Sequence, residues 1–558
     1  MLRIVAVFTI ALSAWILFSA MGGDKIHFRE VASSRGVVAR LRCGDPARHW
    51  IPEANGTGAA WLDYDNDGWM DLLIVNGANM EVLRKIVAGQ TPPARPGGVY
   101  LYHNLGNGRF EDVTAKAGLS NPYWGTGVNA ADYNNDGYTD ILITTIGVDL
   151  LYKNNGDGTF TEVGGPAGLS RKMAWHTGST FGDYDGDGNL DLYIAGYVSL
   201  AALRWDDAPP VCLYRGVPGF CGPMGLKGEA DILYHNNGDG TFSDVTQKTG
   251  VTDKGLYHGF TAVFHDFNGD GKPDIFVAND SDPNYLYLNR GDGTFEESAL
   301  TSGVAYSGDG RTQANMGVAI GDYDNDGLID MLTTTFSEDY FPLFRQIRPG
   351  FYEDVSSQVG LTTVTPPWVG WACGLADFDN DGWRDLWLAN GHVYPKADKL
   401  PTTSYLQPFA VMRNKGGRFL LESEILDNPR RGSYRGGAAC DFNNDGKVDL
   451  VILPIDGPAL LLENNTLTSN NWIGLHLRGF KKNRDAIGAF VRVEACGKIQ
   501  VDSVRAGGSY LSRDDPRLHF GMGSCVTVDR VIVRWPGGRE QVILRPPINR
   551  YSIIQEPS

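Results

Sequence analysis

Small and apolar residues run together in short stretches that recur along the chain, among them GTGAAWLD, GTGVNAAD, HTGSTFGD, NMGVAIGD and YRGGAACD. Each leads through an acidic loop into a run of β-branched and other apolar residues: DLLIVN, DILITT, DLYIAG, DIFVAN, DLWLAN or DLVILP. Such runs, bounded by Gly, Asn and Asp, signal strands rather than helices. Farther on, YLYHNLGNGRFEDV, LLYKNNGDGTFTEV, ILYHNNGDGTFSDV and YLYLNRGDGTFEES each place two short apolar runs around a GDG or GNG turn. Asp-Gly and Asn-Gly tolerate positive φ and favour a tight hairpin there. The repeating unit therefore has four strands, with the acidic loop between the first and second and the tight turn between the third and fourth.

Seven acidic loops begin at Asp63, Asp132, Asp183, Asp266, Asp322, Asp377 and Asp441, spaced 69, 51, 83, 56, 55 and 64 residues apart. Four-stranded units at such spacing predict an all-β fold, a seven-bladed β-propeller, over residues 26–465. The seventh unit has a third strand, ALLLENN from Ala459, but no GDGTF after it. The segment HFREVASSRGV from His27 matches FEDVTAKAGL and FSDVTQKTGV, so Phe28 to Val31 is expected to supply the outermost strand of the last blade. Closure of this kind leaves no free sheet edge at the seam. From residue 470 to 556 the alternation in IGLHLRG, AFVRVEA and DRVIVRW, with a WPGGRE turn, predicts a small β-rich C-terminal domain.

The loops follow the nine-residue pattern D-x-[DN]-x-D-G-x-x-D. Carboxylates so close repel one another unless a cation sits among them. The formal charge of −17 is concentrated here: without the 25 loop aspartates, 41 acids face 49 bases. No Lys/Arg run or stacking motif marks a nucleic-acid surface. Side chains at positions 1, 3, 5 and 9 can converge with the carbonyl of position 7. An all-oxygen, multi-carboxylate set on a flexible frame suits Ca²⁺ better than Mg²⁺. An EF-hand is excluded because position 12, where it needs Glu, is Ile74, Ile143, Ile194, Val277, Thr333, Leu388 or Ile452.

The repeated loop resembles the FG-GAP or VCBS repeat family, whose calcium-loaded blades build the integrin α-subunit head and many bacterial exported proteins. The resemblance implies about seven structural Ca²⁺ ions. The donors would be Asp63, Asp65, Asp67, the Trp69 carbonyl and Asp71 in blade 1, and Asp132, Asn134, Asp136, Tyr138 and Asp140 in blade 2. Blade 3 offers Asp183, Asp185, Asp187, Asn189 and Asp191; blade 4 offers Asp266, Asn268, Asp270, Lys272 and Asp274. Blade 5 offers Asp322, Asp324, Asp326, Leu328 and Asp330; blade 6, Asp377, Asp379, Asp381, Trp383 and Asp385; blade 7, Asp441, Asn443, Asp445, Lys447 and Asp449. The three loops with Asn at position 3 carry one charge less and are expected to bind more weakly. The C-terminal segments RDAIGA, RAGGSYLS, DPRLHFG and VRWPGG are similar to the ASPIC/UnbV domain, and the combination resembles bacterial members of the CRTAC family. That family implies secretion and calcium-dependent extracellular binding.

MLRIVAVFTIALSAWILFSAMGG has a basic start, an apolar stretch and small residues suited to cleavage after Gly22, the order of a signal peptide. An uncleaved membrane anchor over the same segment stays open. Either places the chain in the periplasm, at the cell surface or outside the cell. Cys212 and Cys221 close a Pro/Gly-rich insertion and are expected to pair, as are Cys496 and Cys525, while Cys43, Cys373 and Cys440 are expected to be buried apolar residues. The RGD tripeptide Arg290, Gly291, Asp292 occupies a hairpin where other units read NGD or NGN, so it is read as a turn. Trp124, His176, His258 and Trp371 are read as preceding innermost strands and, with His392 of NGHVYP, are candidates to line a ligand pocket where the channel opens. No HExxH, GxSxG or P-loop is present. The sequence favours a binding or adhesion module for an extracellular glycan or protein, with insertions at 78–99 and 197–230 supplying specificity. The alternative is an enzyme (a lyase, hydrolase or cyclising enzyme) with its site at the channel mouth.

Overall fold

Residues 25–93, 97–203, 211–427 and 430–558 are described by a computed structural model. The proposed signal peptide lies outside these residues.

Seven four-stranded antiparallel sheets follow one another along the chain. Blade 1 is built from Ala59–Leu62, Asp71–Val75, Val99–Asn104 and Phe110–Asp112, and blade 2 from Trp124–Ala131, Asp140–Gly147, Leu150–Asn154 and Phe160–Glu162. Blades 3 to 6 repeat the order, starting at Ala174–Gly182, Gly259–His265, Val318–Gly321 and Gly370–Ala376. Blade 7 uses Tyr434–Cys440, Asp449–Pro454 and Leu460–Asn464, then takes its outer strand from the start of the chain. Phe28–Glu30 pairs antiparallel with it, Phe28 opposite Asn464 and Glu30 opposite Leu462. The seam is closed as the sequence predicts.

The glycines of the innermost strands let those strands crowd the axis. A Cβ on Gly178 would fall 2.3 Å from the Phe260 carbonyl oxygen of the next blade, and one on Gly58 only 1.6 Å from the Leu511 carbonyl oxygen. The second contact comes from the C-terminal module. That module has a three-stranded sheet, Leu518–Gly523, Asn471–Arg478 and Tyr551–Gln555, and a four-stranded one, Lys498–Ser503, Phe490–Ala495, Arg530–Arg534 and Glu540–Leu544. The segment 506–513 leaves it and threads the propeller axis. Ala506, Ser509, Tyr510 and Arg513 form single β-bridges to Phe181, Val318, Gly437 and Ala60, on the innermost strands of blades 3, 5, 7 and 1. Val128 of blade 2 and Thr261 of blade 4 donate to the Leu511 and Ser509 carbonyls at 3.1 and 3.3 Å. Tyr510 packs edge-on to Trp371 of blade 6, ring centroids 4.9 Å apart. The channel is filled by the chain's own backbone.

One insertion departs from the all-β expectation. Within residues 78–99, Met80–Val87 forms a helix capped by the Asn79 side chain, which accepts from the Val82 amide at 3.1 Å, and it buries Met80, Leu83 and Ile86. The apolar spacing of three is helical, and Asn at the cap satisfies an otherwise free amide. Cys212 is disulfide-bonded to Cys221 and Cys496 to Cys525, while Cys43, Cys373 and Cys440 are free and buried. Arg290 pairs with Glu296 beside a turn held by positive φ at Gly291 and Gly293. Among the described residues, no helix is long and apolar enough to cross a membrane.

Candidate metal centres

Each acidic loop is built by the same local bonds. At position 4 stands Asn66, Asn135, Gly186, Gly269, Asn325, Asn380 or Asn444, all at φ between 55° and 75°, a region that Asn and Gly tolerate best. This turn folds the loop back over position 1. In blade 1, Asp63 accepts from the Asp67 and Gly68 amides, both at 3.0 Å, and Asp67 accepts from Trp69 at 2.8 Å. Blade 2 repeats the pattern at Asp132 and Asp136. In blades 1 and 3 the carboxylates of positions 1, 3 and 5 each place an oxygen within 4.8 Å of the others; in blade 5 Asp322, Asp324 and Asp330 do so.

These loops fit a hard divalent cation. Asp183 is 8% exposed and one of its oxygens is buried without a hydrogen bond, as is one oxygen each of Asp140 and Asp266. Burial, with neighbouring carboxylates adding to it, pushes Asp132, Asp183 and Asp322 up to about 7. Burial also lifts Asp63, to about 6, against the Gly68 amide. Burial thus disfavours the ionised form of these first-position aspartates. A bound divalent cation would supply positive charge there and take the free oxygens as ligands.

The aspartate at position 9 plays a second part that the sequence pattern concealed. It is no more than 1% exposed in any blade. In blade 1, Asp71 accepts from the Asn104 amide at 2.8 Å, at the end of the third strand, and from the Tyr64 amide at 3.2 Å. Asn104 then donates its side-chain amide to the Phe442 carbonyl of blade 7 at 2.8 Å. The same link joins Asn154 to Tyr64, Asn236 to Tyr133, Asn289 to Tyr184, Gln346 to Phe267, Asn414 to Tyr323 and Asn464 to Phe378, at 2.6 to 3.0 Å. Seven amide side chains therefore stitch every blade to the one before it, around the whole ring. The signal in six blades is the Asn that ends the third strand, as in LYHN, LYKN and LYLN; in blade 5 Gln346 stands two residues before the end of Leu343–Arg348.

The residue before each latch differs from blade to blade. His103 Nδ1 lies 3.4 Å from Asp65 and 3.1 Å from Asp71, and His235 lies similarly against Asp185 and Asp191. Lys153 reaches Asp136, Arg345 reaches Asp324 and Asp326, and Arg413 reaches Asp379.

The C-terminal module rests on the loops of six blades. The C-terminal module reaches the loop of blade 1 through Arg478 and Asn66 at 3.3 Å, of blade 2 through Asp485 and the Asp132 amide at 2.8 Å, and of blade 3 through Lys482 and the Asp187 carbonyl at 2.9 Å. Arg534 pairs with Asp266 of blade 4 at 3.1 Å, and Asp502 with Arg384 of blade 6 at 2.8 Å. Arg517 donates to the Asp441 carbonyl of blade 7 at 2.8 Å. Although burial pushes Asp502 up, Arg384 and Arg505 hold it down at about 2.

The five candidate pocket residues are buried and do not share one open site. Trp124 is 1% exposed. Trp371 is clamped between Tyr510 and Arg435, whose guanidinium carbon lies 4.1 Å over its ring. His176 bonds Asp149 at 2.5 Å, and His258 bonds Asp282 at 2.7 Å and the Leu226 carbonyl at 3.2 Å. His392 is fully buried beneath the Cys212–Cys221 hairpin, whose Tyr214 packs against Phe336, His392 and Tyr394. Burial and then Arg435 push His392 down to about 3, so it stays neutral.

Comparison with known proteins agrees with this architecture. Residues 86–143, 132–194, 266–333 and 377–452 match the FG-GAP-like repeat, and 479–558 match the ASPIC and UnbV family. The chain is an FG-GAP-repeat protein with an ASPIC and UnbV domain. It is homologous to cartilage acidic protein 1. The mouse protein is 26% identical over 86% of this chain and 70% of its own length. The human protein is 26% identical over 64% of this chain and half of its own length. Among solved structures, an Agrocybe aegerita lectin that recognises non-reducing terminal N-acetylglucosamine is 17% identical, covering 72% of this chain and 86% of that one, with a TM-score of 0.36. In this FG-GAP protein the ASPIC and UnbV domain is seated on the acidic-loop side.

Proposed function

We propose that this chain is an exported, calcium-loaded propeller that binds an extracellular protein or glycan through the face opposite its acidic loops. The observation that supports this most is the seating of the C-terminal module. It rests on the acidic side of the ring, so the connections at the far ends of the second strands are the ones left wholly free to meet a partner. The largest of these, between Asp191–Gly196 and Ile232–Asn236, holds the disulfide-closed hairpin. Its residues Val211, Leu213 and Met224 are 67, 69 and 78% exposed, which favours a protein partner over a glycan. The calcium assignment rests on the all-oxygen donor set. Export rests on the sequence of the first 22 residues and accords with the two disulfides. Catalysis at the channel mouth has less support, because Ala506 to Arg513 occupies the axis.

The test is a screen of the full chain against envelope proteins, matrix proteins and a glycan array, in calcium and again in EGTA. Binding should require calcium and be lost in Leu213→Asp and Met224→Asp. A ligand held equally well by both variants and in EGTA would overturn the assignment of face and of metal.

A further inference from the structure

Four arginines are almost wholly buried: Arg48, Arg435, Arg513 and Arg517. Arg48 is paired with Asp456 and Arg517 with Asp515. Arg435 donates to the Tyr434 and Gly391 carbonyls at 2.7 and 3.1 Å. Arg513 has no such partner. It is 2% exposed, its Nε is buried without a hydrogen bond, and among the described residues no ion pair or hydrogen bond reaches its guanidinium. An unpaired buried guanidinium is costly, and it is the kind of group that a native structure keeps for a ligand.

Arg513 lines a cavity of about 390 Å³ between the C-terminal module and the loops of blades 1 and 2. That volume falls in the range of small-molecule sites. Arg478 and Arg484 line it too. The acids around it are already engaged: both oxygens of Asp63 and of Asp132 accept amides of their own loops, and Asp485 accepts the Asp132 amide at 2.8 Å. The buried group that this cavity leaves without a hydrogen bond is the Arg513 Nε, with Asp485 and Asp515 acting on the guanidinium only through space. Planar guanidinium groups match the paired oxygens of a carboxylate, sulfate or phosphate.

We propose that this cavity binds a small oxyanion, held by Arg513 with Arg478 and Arg484 beside it. All three arginines belong to the C-terminal module, so the anion sits at the junction with blades 1 and 2 and ties the module to the ring.

The experiment is isothermal titration of the full chain with inorganic sulfate at constant calcium, against a chloride control of equal ionic strength. One site per chain is expected. Arg513→Met should weaken it by about tenfold or more, the loss of a charge-assisted hydrogen bond. Arg484→Ala, at an exposed position, should weaken it while leaving the unfolding midpoint unchanged, so the test stands even if the buried variant folds poorly. Crystals soaked in selenate should show one selenium anomalous peak against Arg513. No heat above the chloride control, or equal affinity in wild type and Arg484→Ala with no peak in the cavity, would overturn the proposal.

Discussion

Replacing Asn236 with alanine should cut one stitch of the ring. The side chain is 1% exposed. Its amide donates to the Tyr133 carbonyl of the preceding blade at 2.7 Å and to the Leu190 carbonyl at 3.0 Å, and its oxygen accepts from the Gly238 amide at 3.0 Å. Alanine leaves two buried carbonyls without donors, and each such loss costs about 1–3 kcal/mol. The whole change is expected to cost about 2–5 kcal/mol, a large part of a typical domain's stability. Neighbouring Asn237 is the control, since it is exposed and its side chain bonds only within its own hairpin, donating to Thr241 and accepting from Ser243. Its alanine variant should stay within about 0.5 kcal/mol of wild type. The assay is urea unfolding at constant calcium, followed by tryptophan fluorescence. A change below about 0.5 kcal/mol for Asn236→Ala would refute the latch, because the stranded carbonyls would then have found other donors or water.

Three further outcomes follow from the same geometry. In the calcium-free chain, burial above all, with neighbouring carboxylates adding, raises Asp132, Asp183 and Asp322 to about 7, so between about pH 4 and 7 the folded state holds more protons than the unfolded one. Stability in EGTA should therefore fall as pH rises through that window, whereas in calcium it should rise as protons stop competing for the carboxylates; unfolding midpoints at pH 5 and 7.5 distinguish the two. Tyr510→Ala removes a fully buried ring whose hydroxyl donates to the Asn55 carbonyl at 2.9 Å, and should cost about 3–5 kcal/mol by the same urea assay. Asp502→Asn strips the charge from between Arg384 and Arg505, at 2.8 and 2.7 Å, and should cost about 3–5 kcal/mol and expose the C-terminal module to limited proteolysis.

The ring and its closure could be read from the sequence because they rest on local signals. Turn residues at fixed offsets and a repeated four-strand unit fix the blades, and the likeness of HFREV to FEDV fixes the seam. The long-range contacts left weaker traces. The Asn that ends six of the third strands is as good a turn residue as a latch, and nothing in LYHN says that its amide points to another blade. RAGGSYLS gives the plug its glycines, but its place in the axis depends on the innermost strands of seven blades that are distant in sequence. Trp371, His176 and His392 were plausible lining residues by type and position. The tertiary fold instead covers them, with Tyr510, Asp149 and Tyr214 against them. Nothing in SRDDPR distinguishes Arg513, since only the packing shows that its guanidinium has no hydrogen bond among the described residues.

Burial raises Asp132, Asp183 and Asp322 of the acidic loops to about 7, and the proposed divalent cation in these loops would offset that cost and stiffen the ring beneath the C-terminal module. A site of Kd about 10 μM in about 1 mM calcium would add about 2.7 kcal/mol to the folded state. The direct measurement is metal content by mass spectrometry on the purified full chain, paired with its urea midpoint before and after chelation. Several moles of calcium per mole of chain are predicted, with a midpoint that drops on chelation and returns when calcium is restored. A chain that carries no calcium and unfolds at the same midpoint in EGTA would contradict it.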